Sequence, residues 1–244
     1  MVLQGGNILE RKAVVLLSGG LDSATTLYIA REEGFRIHTI SFHYGQQHTQ
    51  ELESAAVIAK YAGARDHVTI SLDPRLFEGS ALTGSEIIPE NRSPDEMAGM
   101  IPSTYVPARN TVFLAMALAY AEVIGARDIF IGVNALDYSG YPDCRPEFVA
   151  AFQKLAELAT KEAVDGNPAR IHAPLLYMTK AEIIKQGLEL GVDYSMTHSC
   201  YNPDKAGRAC GRCDACILRL RGFHENGIKD PAIYINQSEM NNEL

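Results

Sequence analysis

Two groups of residues in this sequence carry the types and spacing that chemistry needs. The first is Ser18-Gly19-Gly20-Leu21-Asp22-Ser23. Adjacent glycines open backbone conformations closed to other residues, so a turn here can aim several N–H groups at one point. A helix starting just beyond adds partial positive charge at the same point, which therefore suits a phosphate. Ser18 and Ser23 add hydroxyl donors, and Asp22 offers a carboxylate for a magnesium ion. Two other phosphate loops do not fit: the Gly-Lys-[Ser/Thr] ending of one is missing, and so is the third glycine of the dinucleotide fingerprint. The second group is Cys200, Cys210, Cys213 and Cys216, spaced Cys-x9-Cys-x2-Cys-x2-Cys, with Pro203, Gly207 and Gly211 between them. Four thiolates suit a closed tetrahedral zinc site. The three-residue rhythm leaves an iron–sulfur cluster open as the alternative.

These groups need elements to position them. Val14 to Leu17 reads as a buried strand. A helix should follow from Ala24, with Asp22 and Ser23 as capping oxygens. Arg36–Phe42 and His67–Leu72 read as two more strands around a helix over Gln50–Tyr61, whose apolar side holds Leu52, Ala55, Ala56 and Ala59. Strand alternating with helix at this spacing predicts an α/β fold with a doubly wound parallel sheet. Ligands of such sheets bind beyond the carboxyl ends of the strands. Residues 73–104 read as a long loop, either a lid over that edge or a surface insertion. Thr111–Ile124 is apolar nearly all round, which predicts a buried helix. A strand over Asp128–Val133, a polar loop over 134–145 and a helix from Pro146 to about Val164 come next. A short strand over Arg170–His172 precedes a helix over Lys180–Leu190, capped by Thr179 with Glu182 in the capping-box position.

The expected organisation is residues 1–195 as the nucleotide domain, 196–228 as a zinc-binding segment packed on it, and 229–244 as a loosely packed tail. A net charge of −8 disfavours non-specific nucleic-acid binding, which needs a basic surface. No apolar run reaches membrane-spanning length and no export-signal layout is present, so a cytoplasmic enzyme is expected. Four of the five cysteines lie in the last fifth of the chain, which favours metal over disulfides there. Arg208, Arg212, Arg219 and Arg221 would balance thiolate charge. Cys144 alone reads as a small buried residue.

Ser18 to Ser23 resembles the pyrophosphate loop (PP-loop) of the N-type ATP pyrophosphatases, which split ATP between the α and β phosphates and transfer AMP to a substrate oxygen. Four further stretches narrow the likeness. They are His43-Tyr44-Gly45-Gln46, Val106-Pro107-Ala108-Arg109-Asn110, the run Ser139-Gly140-Tyr141-Pro142-Asp143-Cys144-Arg145-Pro146-Glu147-Phe148, and the four cysteines. With them the chain resembles the 7-cyano-7-deazaguanine synthases from about Ala13 to Phe223. The Cys200–Cys210 interval is slightly longer than that family's.

The resemblance implies an adenine nucleotide alpha hydrolase-like, Rossmann-like fold, structural Zn2+, Mg2+ with ATP, and a homodimer. The implied reaction joins 7-carboxy-7-deazaguanine and ammonia into a nitrile through two adenylations. ATP would contact Leu17, Ser18, Gly19, Gly20, Leu21, Asp22, Ser23, Ala24, Thr25, Thr26 and Leu27. Asp22, Ser23, Lys180 and Arg109 would be catalytic. Asp137, Tyr138, Tyr141, Asp143 and Arg145 would hold the deazaguanine. On position alone Lys180 reads as a solvated lysine, since the dipole disfavours a cation at a helix N-terminus. Arg109 has a surface salt bridge as its bland alternative. His43 and His48 could touch ATP or ammonia, although a histidine near a strand end is more often structural. The rival readings are a PP-loop enzyme that thiolates transfer RNA, an amide ligase that stops after one round, and a non-catalytic nucleotide sensor.

Overall fold

The computed structural model describes residues 10–98, 101–136 and 140–235. Five parallel strands run β1 (Lys12–Leu16), β2 (Arg36–His43), β3 (Asp66–Ser71), β4 (Asp128–Phe130) and β5 (Arg170–His172). Their order across the sheet is β3-β2-β1-β4-β5. Val14 lies level with His38 on one side and Ile129 on the other. β1 alternates faces, as the two-residue period requires. Ala13, Val15 and Leu17 face one core layer, and Val14 and Leu16 the other.

The helices are α1 (Leu21–Glu32), α2 (Gln50–Tyr61), α3 (Pro94–Ala98), α4 (Arg109–Ile124), α5 (Pro146–Ala156), α6 (Lys161–Val164), α7 (Lys180–Glu189) and α8 (Asp214–Glu225). The first layer packs α1, α2, α7 and α8 against the sheet through Leu27, Ile58, Ile183 and Phe223. The second packs α4 and α5 through Leu114, Ala117 and Phe152. The chain leaves β1 towards β2 by one route and returns to β4 on the other flank. The carboxyl ends of β1, β2 and β4 therefore open a crevice where the strand order reverses.

Several expectations change. The first helix starts at Leu21, so Asp22 and Ser23 lie inside it, and Gly20 is the cap without any side-chain bond. β4 stops at Phe130. The helix from Pro146 ends at Ala156, because Thr160, in extended backbone, accepts a bond from Ala163 N and begins a new short helix. α4 is not wholly buried: Ala115 and Ala119 are exposed, and Val123 is 83% exposed.

The described residues of 73–104 are not a plain surface insertion. Ala81 and Ile88 pack into a third core with the cysteines. Glu90 bridges to Cys213, Arg92 pairs with Asp214, and Phe77 is buried against the second layer. The tail is not loose between Asp230 and Ile235: Tyr234 is buried in the third core, its hydroxyl donates to Asp230, and Ala209 N donates to Ile233 O. No helix among the described residues is long and apolar enough to cross a membrane.

Candidate active site

The loop after β1 is knitted by its own hydroxyls. Ser18 Oγ and Ser23 Oγ lie 3.0 Å apart, Ser18 N donates to Ser23 Oγ at 3.1 Å, and Ser23 Oγ donates to Gly20 O at 3.0 Å. Gly19 is held at φ +87°, and a Cβ there would lie 2.0 Å from Glu51 O. Only glycine lets α2 sit this close. The loop is also backed from far along the chain: His198 N donates to Gly19 O at 2.9 Å, and Leu21 N to Ser199 Oγ at 3.3 Å.

Above it a cavity of about 220 Å³ opens at the strand ends. Leu17, Ser18, Gly20, Leu21, Asp22 and Ser23 line it. Ala24, Thr25, Thr26 and Leu27 do not: they turn into the interior of α1, where the Thr25 hydroxyl meets Tyr194 at 2.7 Å and Thr26 donates to Asp22 O. Those four are buried in this structure and stand behind the loop rather than on the cavity wall.

Lys180 also departs from its position-only reading. It is 7% exposed, and its Nζ donates to Asp22 Oδ1 at 2.6 Å. The Thr179–Glu182 capping box satisfies the helix end, leaving the lysine to reach into the site. Arg109 lines the cavity too. Its guanidinium donates to Tyr44 OH at 3.3 Å, and no described carboxylate lies within ion-pair distance, so a surface salt bridge is excluded among the described residues. Ala108, at φ 52°, sets the start of α4 and so the direction of Arg109. A left-handed alanine is a strained choice of the kind found at functional sites.

The expected deazaguanine group divides. Tyr141 is buried, lines the cavity and bonds Thr104 through its hydroxyl at 2.7 Å. Asp143 does not face the cavity: its Oδ2 accepts from Asn110 N at 2.9 Å and closes the start of α4. Arg145 is exposed at the start of α5 and lies off the cavity. Asp137 and Tyr138 lie outside the described residues. His43 and His48 do not line the cavity either. Cys144 lines it, but burial pushes its thiol up to about 12, which makes a poor nucleophile at neutral pH.

Asn134, Glu51, His198, Ser199 and Tyr201 line the cavity and went unread in the sequence. Asn134 ties β4 to the approach of α7, donating to Leu175 O at 2.8 Å and to Met178 O. Glu51 takes Gln46 Nε2 on its Oε1 at 3.1 Å, and burial pushes its carboxyl up to about 7 against the pull of Arg109 and Gln46. A signal for Glu51 existed: four and seven positions ahead of it stand Ala55 and Ile58, both on the buried stripe of α2.

The sulfurs of Cys200, Cys210, Cys213 and Cys216 all lie within 4.8 Å of one another and are buried. Backbone N–H groups of Asn202, Cys210, Arg212 and Cys213 point at them over 3.2–3.4 Å. That is the donor set and the supporting shell of a metal–thiolate centre. Each nearby arginine has a carboxylate partner, Arg208 with Asp204, Arg212 with Glu90, Arg221 with Glu225 and buried Arg219 with Asp230, and Arg212 and Arg219 also interact electrostatically with Cys210 and Cys216.

With this geometry in view, the comparisons are specific. The family described as "Queuosine biosynthesis protein QueC" matches residues 12–227. A 7-cyano-7-deazaguanine synthase of Syntrophotalea carbinolica is 61% identical over 94% of this chain and 99% of its own. The one from Syntrophobacter fumaroxidans is 58% identical over 93% and 97%. That of Rhodopirellula baltica is 61% identical over 91% of each. The chain belongs to the QueC family, whose curated members are the 7-cyano-7-deazaguanine synthases.

Proposed function

We propose that this chain converts 7-carboxy-7-deazaguanine and ammonia to 7-cyano-7-deazaguanine, spending two ATP as AMP and pyrophosphate. The observation that carries this is one cavity in which the Ser18–Ser23 loop and the Asp22–Lys180 pair face Arg109, Tyr141 and Glu51. A carboxylate does not react with ammonia at neutral pH, because its leaving group would be oxide. Adenylation replaces oxide by AMP. Ammonia attack then gives the amide. A second adenylation on the amide oxygen, with loss of protons from nitrogen, gives the nitrile. Each activation is a displacement at the α phosphorus, where catalysis is chiefly positioning and charge neutralisation.

In this reading the loop amides and the Ser18 and Ser23 hydroxyls cradle pyrophosphate, and Lys180 and Arg109 neutralise phosphate and substrate carboxylate. Asp22, the carboxylate of the loop that opens into the cavity, would hold magnesium, an ion that pairs one or two carboxylates with substrate phosphates. That ion supplies charge neutralisation on the departing pyrophosphate. Tyr141 offers a face for the deazaguanine, with Asp137 and Tyr138 beside it in sequence. For the cysteines, a single zinc ion is favoured over a cluster. Tetrahedral coordination at about 2.3 Å sets sulfurs roughly 3.8 Å apart, compatible with the observed grouping, whereas a cluster interposes its own cage. Residues 196–235 then form the zinc segment, and a reducing cytoplasm suits its thiolates. A homodimer would cover the apolar outward face of α4, and light scattering would read it.

The thiolation rival needs a reactive cysteine. The chain has five; four are grouped together and the fifth has a raised pKa. The test is an incubation with ATP, magnesium, ammonium and 7-carboxy-7-deazaguanine, read by mass spectrometry and nucleotide chromatography. Nitrile with two AMP per turnover is expected. Amide alone would reduce the chain to a single-round ligase, and absence of AMP would sink the reading.

A further inference from the structure

Each amination must shed protons inside the site. Ammonium has to lose one before nitrogen can attack, and the amide nitrogen must lose its protons as the nitrile forms. The cavity holds few groups able to take them. Lys180 is paired with Asp22, and Arg109 and Arg219 are permanent cations, the latter clamped to Asp230. Tyr44, Tyr141 and Cys144 have their ionisations pushed up by burial. His198 lines the cavity, but its Nε2 is enclosed and burial lowers its basicity. Among the described lining residues the carboxylates are Asp22 and Glu51. Asp22 is engaged by an ammonium group at 2.6 Å. Glu51 accepts only a neutral amide on Oε1, and no described residue bonds its Oε2.

Resting on the reaction proposed above, we propose that Glu51 is the proton acceptor of the amination steps. Its Oε2 takes a proton from ammonium. Nitrogen then forms its bond to the activated carbonyl carbon, the carbon–oxygen bond to the phosphate breaks, AMP leaves with the electron pair, and its departing phosphate takes the second proton that nitrogen sheds to become the amide. In the second round the same carboxylate, its first proton released to solvent, removes one of the two amide protons as AMP departs from the imidate, and the departing phosphate takes the other. The supports of Glu51 are built for this. Gln46 is itself fixed, its Oε1 accepting from Tyr44 N at 2.8 Å and its Nε2 donating to Phe42 O at 3.2 Å. The first turn of α2 favours the anion that must form, while enclosure keeps the group basic enough to act near neutral pH. The charged and titratable groups that line the cavity with it are Arg109, Arg219, His198 and the Asp22–Lys180 pair, and Tyr44 stands beside it.

The test separates activation from amination. Adenylation is read by exchange of labelled pyrophosphate into ATP with 7-carboxy-7-deazaguanine and no ammonia; amination is read as amide from the same mixture with ammonium. For E51Q, exchange should stay within about twofold of the wild type. Amide formation should fall about 100-fold or more, with its pH dependence near neutrality flattened. Hydroxylamine, already unprotonated at neutral pH, should restore transfer to E51Q as the hydroxamate. E51D keeps a carboxylate one methylene further back, and should keep the pH dependence at a lower rate. An E51Q protein that aminates like the wild type, or that loses exchange and hydroxylamine transfer along with ammonia transfer, overturns the assignment. Absence of exchange in the wild type would instead overturn the substrate reading, and this assignment with it.

Discussion

Glu51 shows what a reactive carboxylate does to the fold that holds it. Its ordinary value is 4.5 and its folded value about 7, so the folded chain binds that proton more tightly than the unfolded chain does. Its stabilising contribution is complete below about pH 4.5 and is lost as pH rises through about 7. The gap is worth up to about 3 kcal/mol. E51Q should therefore unfold in urea with about 1–3 kcal/mol more stability than the wild type at pH 8, and with little difference at pH 4.5. Equal stability at pH 8 would mean that the carboxylate is better solvated than its surroundings imply. Single residues were the hardest thing to read in the sequence. The loop from Ser18 to Ser23 announced itself by composition, and so did the cysteines. Lys180 looked solvated because a helix N-terminus repels a cation, and the approach of Asp22 from 158 positions away is a contact that nothing local in the sequence announces. Asp143 looked like a ligand carboxylate because nothing local reveals that Asn110 N will need an acceptor.

At the scale of elements, Gly19 is where two of them meet. A Cβ would stand 2.0 Å from Glu51 O and 2.9 Å from Ala55 N, both backbone atoms that α2 cannot withdraw cheaply. Gly19→Ala should cost roughly 2–4 kcal/mol, part left-handed strain and part displaced helix. It should also abolish pyrophosphate exchange. Gly34→Ala is the control: φ is +79° but nothing lies within 4 Å, so only strain of about 1 kcal/mol is expected. Equal costs at the two positions would show that α2 yields. Elements with a local signal were legible: β1 to β3, α2, and α7 with its capping box. Those set by distant partners were not. The periodicity after Pro146 runs on past Ala156, yet Thr160 restarts the helix by capping Ala163. The apolar surface of α4 suggested burial all round, yet Ala115, Ala119 and Val123 are exposed while Leu114, Ala117, Ala121 and the rings of Phe113 and Tyr120 face the sheet side.

For the whole molecule, the third core is small and depends on its sulfurs. Ala81, Ile88, Ala209, Ala215 and Tyr234 surround them, too little apolar area to hold the strap, α8 and the tail together alone. Stripping metal with a strong chelator should lower the melting temperature by roughly 10 °C. Hydrogen exchange should rise first in 80–92 and 198–235, and ATP-site activity should fall with it, because His198 and Ser199 back the loop. Unchanged exchange in these segments would refute a structural metal. That backing has a consequence for how the protein is made. The phosphate loop leaves the ribosome with the first strand, but Ser199 is 178 positions behind Leu21. Domains fold as their chain emerges, and contacts this distant close late. The sheet itself closes only after β4 and β5 have emerged, and the phosphate loop gains its backing later still, so the nucleotide site is finished after the sheet that carries it.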